Sequence, residues 1–145
     1  MTRGSPQMRR LANHLMVADA AARAISMTGA ATAFPVIETL LPKLGALMGK
    51  GGFRALLCRA LALARAEVSW LCAVRVNADG VLEGWEMSRA QLTHAAFMDG
   101  RVAMLAQLLG LLEAFVGPSV MPRILDDIWP RAPGQDTALH QDFLT

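Results

Sequence analysis

Between Phe53 and Leu71 the apolar residues fall at Phe53, Leu56, Leu57, Ala60, Leu61, Ala64, Val68 and Leu71. This i, i+3, i+4 spacing draws one stripe down an α-helix of 3.6 residues per turn, whereas a half-buried strand needs strict alternation. A helix with such a stripe must lay it against other elements, so the chain is committed to a helical core. The rest of the sequence repeats the pattern. A first helix is expected from about Gln7 to Thr28, with Leu11, Leu15, Ala18, Ala22 and Ile25 on one face and Gly29 as its stop. Pro35 opens a second, which Pro42 is expected to break or kink, and Met48-Gly49-Lys50-Gly51-Gly52 reads as a flexible linker. The striped helix is expected to run to about Val74. Ser88 is the expected N-cap of a fourth helix reaching Val116, with Asp99-Gly100 a place where it can be interrupted. Gly117-Pro118 separates this from a fifth, whose apolar side carries Val120, Met121, Ile124, Leu125, Ile128 and Trp129.

Ala, Leu and Met, all strong helix formers, dominate the composition, and Tyr is absent. The expected fold class is therefore all-α: a single-domain bundle of about five helices, with a short turn or mini-hairpin around residues 74–84. By domain, residues 1–7 read as a disordered leader, 8–130 as the bundle and 131–145 as a polar tail. At 145 residues the chain is long enough to bury roughly two-thirds of its unfolded surface. Hydrophobic residues make up 54% and charged residues only 18%, against about a quarter in typical soluble domains. That apolar excess has to be hidden in the core, in an oligomer or against a partner.

The segment Arg75–Glu86, "RVNADGVLEGWE", resembles a calcium loop. Asn77, Asp79, Gly80 and Glu86 occupy the third, fifth, sixth and twelfth positions of an EF-hand, and Leu82 fills the apolar eighth. The first position, which should be an Asp ligand, is Arg75, a fixed positive charge set beside a dication. Asn-Ala-Asp-Gly is also ordinary turn chemistry, with Gly80 free to take a positive φ. The segment is read as a turn, and no metal or other cofactor is expected.

Other chemistry is sparse. His14, His94 and His140 lie far apart without ligand spacing such as H-x-x-x-H. His94 invites comparison with histidine phosphotransfer domains, but those carry Lys-Gly soon after the histidine, where this chain has Ala95, Ala96, Phe97 and Met98. Cys58, near Arg54 and Arg59, and Cys72 sit 14 residues apart on one expected helix, about 21 Å at the helical rise, and cannot bridge within it. Both read as packing residues, with Cys58 the candidate nucleophile if the chain is an enzyme. Two isolated thiols suit a reducing cytoplasm. No phosphate loop, dinucleotide fingerprint or nucleophile elbow is present.

The net charge is +2 and the basic residues are scattered beyond the first ten positions, so nucleic acid is not an expected partner. No uninterrupted apolar run reaches the 18 or so residues that a membrane span needs. The N-terminus imitates a secretion signal, but His14, Asp19 and Arg23 fall inside the would-be apolar segment. An amphipathic helix fits better. Peripheral membrane contact through it is disfavoured by Asp19 on its polar face.

Two charges interrupt apolar stripes: Glu67 near Ala60 and Leu63, and Arg101 among Met104, Leu105 and Leu108. Neither has an opposite charge three or four residues away in its own helix, and a lone buried charge costs several kcal/mol. A buried Glu67–Arg101 ion pair is one solution. In the tail, Leu139, Phe143 and Leu144 share one face of a segment too short to be helical alone, and form a candidate interface. Together these features lead to the expectation of a small non-enzymatic interaction or regulatory module of bacterial, cytoplasmic type. Its partner would be a protein or a second copy of itself.

With Arg75 at the first ligand position, millimolar calcium is expected to leave Tm unchanged. A rise of several degrees, reversed by chelator and lost in Asp79→Ala, would overturn the turn reading.

Overall fold

A computed structural model of the chain describes residues 6–26 and 34–129, with the side chains of 22–26 left out. Residues 1–5, 27–33 and 130–145 lie outside the described residues, and with them His140 and the candidate interface Leu139, Phe143 and Leu144. The fold is all-α, with one small two-stranded sheet. In chain order the elements are α1 (Pro6–Ser26), α2 (Pro35–Met48), α3 (Lys50–Glu67), a 3₁₀ turn (Ser69–Ala73), β1 (Arg75–Val76), β2 (Leu82–Glu83), α4 (Glu86–Gln91), α5 (His94–Val116) and α6 (Met121–Ile128).

The centre of the bundle is α5. Every residue from Val102 to Leu109 is buried, so this helix is covered on all sides. By length and mean hydropathy α5 is apolar enough to cross a membrane, although it carries charges that broke it up in the sequence reading, and 61% of its most apolar window is buried inside the bundle. Helices α3 and α1 pack against it, α2 closes over α3 and α1, and α6 reaches α2 and α5. The apolar stripe of α3 faces inward: Phe53, Leu57, Ala60, Leu61 and Ala64 are buried and join Leu40, Leu44, Met104, Leu108 and Leu112 in one continuous core.

The boundaries differ from expectation in instructive ways. α1 begins at Pro6, inside the segment read as leader, where a proline's missing N–H costs nothing. Pro42 does not interrupt α2, whose buried residues Ile37, Leu40 and Leu44 hold the helix on both sides of it. The glycine-rich linker shrinks to one residue. Gly49 takes φ +82° between α2 and α3, while Lys50, Gly51 and Gly52 are already helical, and Phe53 donates its N–H to the Gly49 carbonyl. α3 ends at Glu67 rather than near Val74, so Cys58 and Cys72 sit on different elements. Ser88 falls inside the separate α4, and α5 is capped by Thr93, whose hydroxyl accepts from the Ala96 N–H.

Asp99-Gly100 does not interrupt α5 at all. Gly100 is buried because the Trp70 indole lies directly against it; a Cβ there would overlap the indole ring atoms. Trp70 is fixed by stacking on Phe97, with ring centroids 5.1 Å apart, and by donating from Nε1 to the Ala96 carbonyl at 3.1 Å. The glycine is a notch for the tryptophan.

Gly100→Ala is expected to lower stability by about 1–3 kcal/mol, because overpacking outweighs the ~1 kcal/mol that alanine adds to a helix. Thermal melts with tryptophan emission as the readout test this. A stabilised variant with unchanged emission would show that the indole moves aside freely.

Candidate functional site

Three side-chain groups stand out among the described residues; the first and third join elements distant in sequence, and the second joins the neighbours α4 and α5.

The first is centred on Glu67, the last residue of α3. Its side chain is only 3% exposed. One carboxylate oxygen accepts from Arg9 Nη2 of α1 at 2.8 Å, the other from Gln107 Nε2 of α5 at 2.6 Å. Arg9 also lies 3.7 Å from Asp99, which is on the surface. The expected Glu67–Arg101 pair is not formed. Gln107 stands six residues beyond Arg101 in the buried run of α5, and α1 brings Arg9 over the end of α3. A guanidinium from a third helix and a neutral amide thus meet the buried carboxylate, an arrangement invisible to a search for acid–base pairs on two helices.

The second group explains where Arg101 goes instead. Its guanidinium carbon sits 6.0 Å from the centre of the Phe97 ring, and that of Arg89, from α4, sits 5.9 Å from the same ring. Arg101 Nη1 contacts the Met98 sulfur at 3.0 Å, and its Nε–H is buried without an acceptor. Burial, together with the neighbouring Arg89 charge, lowers the Arg101 pKa from its ordinary value. Among the described residues no carboxylate approaches either guanidinium within ion-pair distance.

The third is Asp19, a buried carboxylate that accepts from Thr39 Oγ1 of α2 at 2.7 Å and from Trp129 Nε1 at 3.2 Å. It ties α1 to α2 and to the residue that ends α6.

The calcium-like segment is a hairpin. Arg75 pairs with Glu83 and Val76 with Leu82, and Gly80 turns the chain at φ +80°. The Asn77 side-chain oxygen accepts from the Asp79 and Val81 N–H groups, so it is engaged by backbone rather than turned to a cation. Arg75 forms an ion pair with Glu83 at 3.1 Å, and Glu86, the twelfth position of the loop, lies exposed in the first turn of α4. No three His, Cys, Asp or Glu residues among those described are grouped to hold a metal.

The remaining candidates stay separate. His14 and His94 are exposed on α1 and at the start of α5, Cys58 is half-buried on α3, and Cys72 is exposed on the 3₁₀ turn. Arg54, a near neighbour of Cys58 in sequence, is directed to the hairpin, donating to the Asn77 carbonyl at 2.9 Å. Arg9, Gln107 and Arg89 were not singled out from sequence, and Asp19, read there as lying on the polar face of the first helix, is only 2% exposed and turned into the bundle. A glutamine inside the apolar run Val102–Leu112 is the signal that could have found the Glu67 clamp.

Compared with protein-family models, with curated proteins and with solved structures, the chain matches none.

The first two groups make opposite predictions. Gln107→Leu removes a donor from a buried carboxylate oxygen and is expected to cost about 2–4 kcal/mol. Arg101→Met removes a cation that burial disfavours and is expected to be neutral or stabilising. The sign follows from linkage: a base whose pKa is lowered by folding costs stability while charged, and that cost is relieved only as pH rises into the guanidinium range. Denaturant melts at neutral pH check both, and a strongly destabilised Arg101→Met would show that its stem packing outweighs its charge.

Proposed function

We propose that this chain is a small interaction or regulatory module that works by self-association, its apolar excess buried between two copies. The observation that carries this reading is the exposure of Phe115, 66% accessible in the last turn of α5, with Val120 at 42% in the turn that leads into α6. Val120 was expected on the inner side of the last helix, yet Met121, Ile124 and Leu125 form that side, and Val120 is left outside with Phe115. Leu47, at the end of α2, is a further large apolar side chain open to water. Aromatic side chains such as Phe115 are enriched at the cores of protein interfaces, and truncating a central one can remove more than about 1 kcal/mol of binding. A cytoplasmic location accords with the two free thiols, Cys58 and Cys72.

The reading that competes with it is enzymatic or phosphotransfer chemistry at His94 or Cys58. Among the described residues neither side chain is joined by a hydrogen bond to an acid or base that would activate it. The interaction reading therefore has more to support it.

Size-exclusion chromatography with light scattering across a wide concentration range tests the proposal. A dimer that dissociates on dilution is expected, with its dissociation constant raised at least about tenfold in Phe115→Ser while circular dichroism stays unchanged. A monomer at every concentration, or a dimer indifferent to Phe115→Ser, would overturn it. Loss of a biological activity in His94→Ala or Cys58→Ala with the association intact would favour the enzymatic reading instead.

A further inference from the structure

The surface where α4 meets the first turns of α5 holds two cations that nothing in the described molecule neutralises. Arg89 and Arg101 bring their guanidinium carbons to 5.9 and 6.0 Å from one ring, Phe97, close enough for Arg89 to disfavour the charge on Arg101. The chain has 12 acidic residues to draw on, yet none of those described forms an ion pair with either arginine. Arg101 is the poorer served. One of its N–H groups meets only a thioether, a weak acceptor, and its buried Nε–H meets nothing.

The platform beneath these cations is rigid. Phe97 stacks on Trp70, Trp70 is anchored to the Ala96 carbonyl, and the Gly100 notch fixes the indole against α5. Phe97 also lies in the first turn of α5, where the helix dipole adds positive potential. Pre-set position, like charges and unfilled donors are what an oxyanion requires of a protein surface.

We infer that Arg89 and Arg101 form a binding site for a phosphate-type dianion, held between the two guanidinium groups above Phe97. A dianion balances both positive charges at once, whereas a single carboxylate leaves one uncompensated. Arginine's fork of donors fits phosphate oxygens, and Met98, an unbranched and adaptable side chain, yields the Arg101 N–H it now occupies. The ligand is inorganic phosphate or a small phosphate monoester in free solution. A phospholipid headgroup offers the same chemistry, and the experiment separates the two. The inference does not depend on self-association through Phe115.

The test uses the full chain and inorganic phosphate, with ionic strength matched by chloride. Saturable binding by calorimetry, with a rise in Tm, is expected for the unaltered protein. Arg101→Met is expected to abolish it, Arg89→Met to weaken it at least about tenfold, and Arg101→Lys, which keeps the charge but not the fork, to fall between. Arg123→Met, on the exposed side of α6, is expected to bind as the unaltered chain does. Arg89→Met is the check should Arg101→Met disturb the fold, since Arg89 is exposed. Vesicles containing phosphatidic acid are expected to leave the protein in solution; arginine-dependent flotation with them would keep the site and assign its phosphate to lipid. Binding no stronger than in chloride, or equally strong in Arg89→Met and Arg101→Met, would overturn the inference.

Discussion

A carboxylate with 3% of its side chain exposed must be met by donors, and Glu67 is met from two directions. This constraint orders the bundle. The end of α3 can sit only where Arg9 of α1 and Gln107 of α5 reach it together, so one charge sets the relative translation of three helices. Apolar packing alone tolerates sliding, because leucine and alanine faces are nearly interchangeable along a helix. Two hydrogen bonds of 2.8 and 2.6 Å are not interchangeable with anything a turn away. Replacing the whole cluster by apolar groups can equal it in stability; what it supplies is a single alignment.

The two arginines at Phe97 are the counterpart of this economy of charge. Glu67 has a cation and an amide; Arg101 has an aromatic ring, a sulfur and another cation. Within one helix, then, a glutamine completes a polar network at position 107 while an arginine six residues earlier is left incomplete. The incomplete group lies half-buried beside α4, and the complete one lies in the core. Exposed apolar side chains at the other end of α5 place a different kind of unmet demand there. The two ends of the central helix are chemically unlike.

The all-α class and the inward stripe of α3 were readable in the sequence, because periodicity and helix propensity are local and point the same way there. The hairpin was readable for the same reason: Asn77 and Gly80 carry turn chemistry in their own side chains or lack of one. Boundaries were not. Lys50, Gly51 and Gly52 are helical although glycine disfavours it, since α3 is held by its packing on α5 and not by the propensity of its first turn. Gly100 read as an interruption because its reason is Trp70, thirty positions away and on another element. The charged groups failed more completely. Glu67 and Arg101 were both marked as needing partners and were paired with each other, but the partner of a buried charge is set by which helices meet, and the α1–α3–α5 junction is a property of the assembled bundle.

Asp19 has one further implication. Its hydrogen bond to Trp129 spans 110 positions, joining the first helix to the residue that follows the last. Non-local contacts of this kind close a long stretch of chain, which costs entropy and slows folding. During synthesis α1 emerges long before Trp129 exists, and the helices between them must be made before the link can close. The bundle is thus completed after translation has passed residue 129, and shortening the chain before that point removes a tie from its beginning as well as its end.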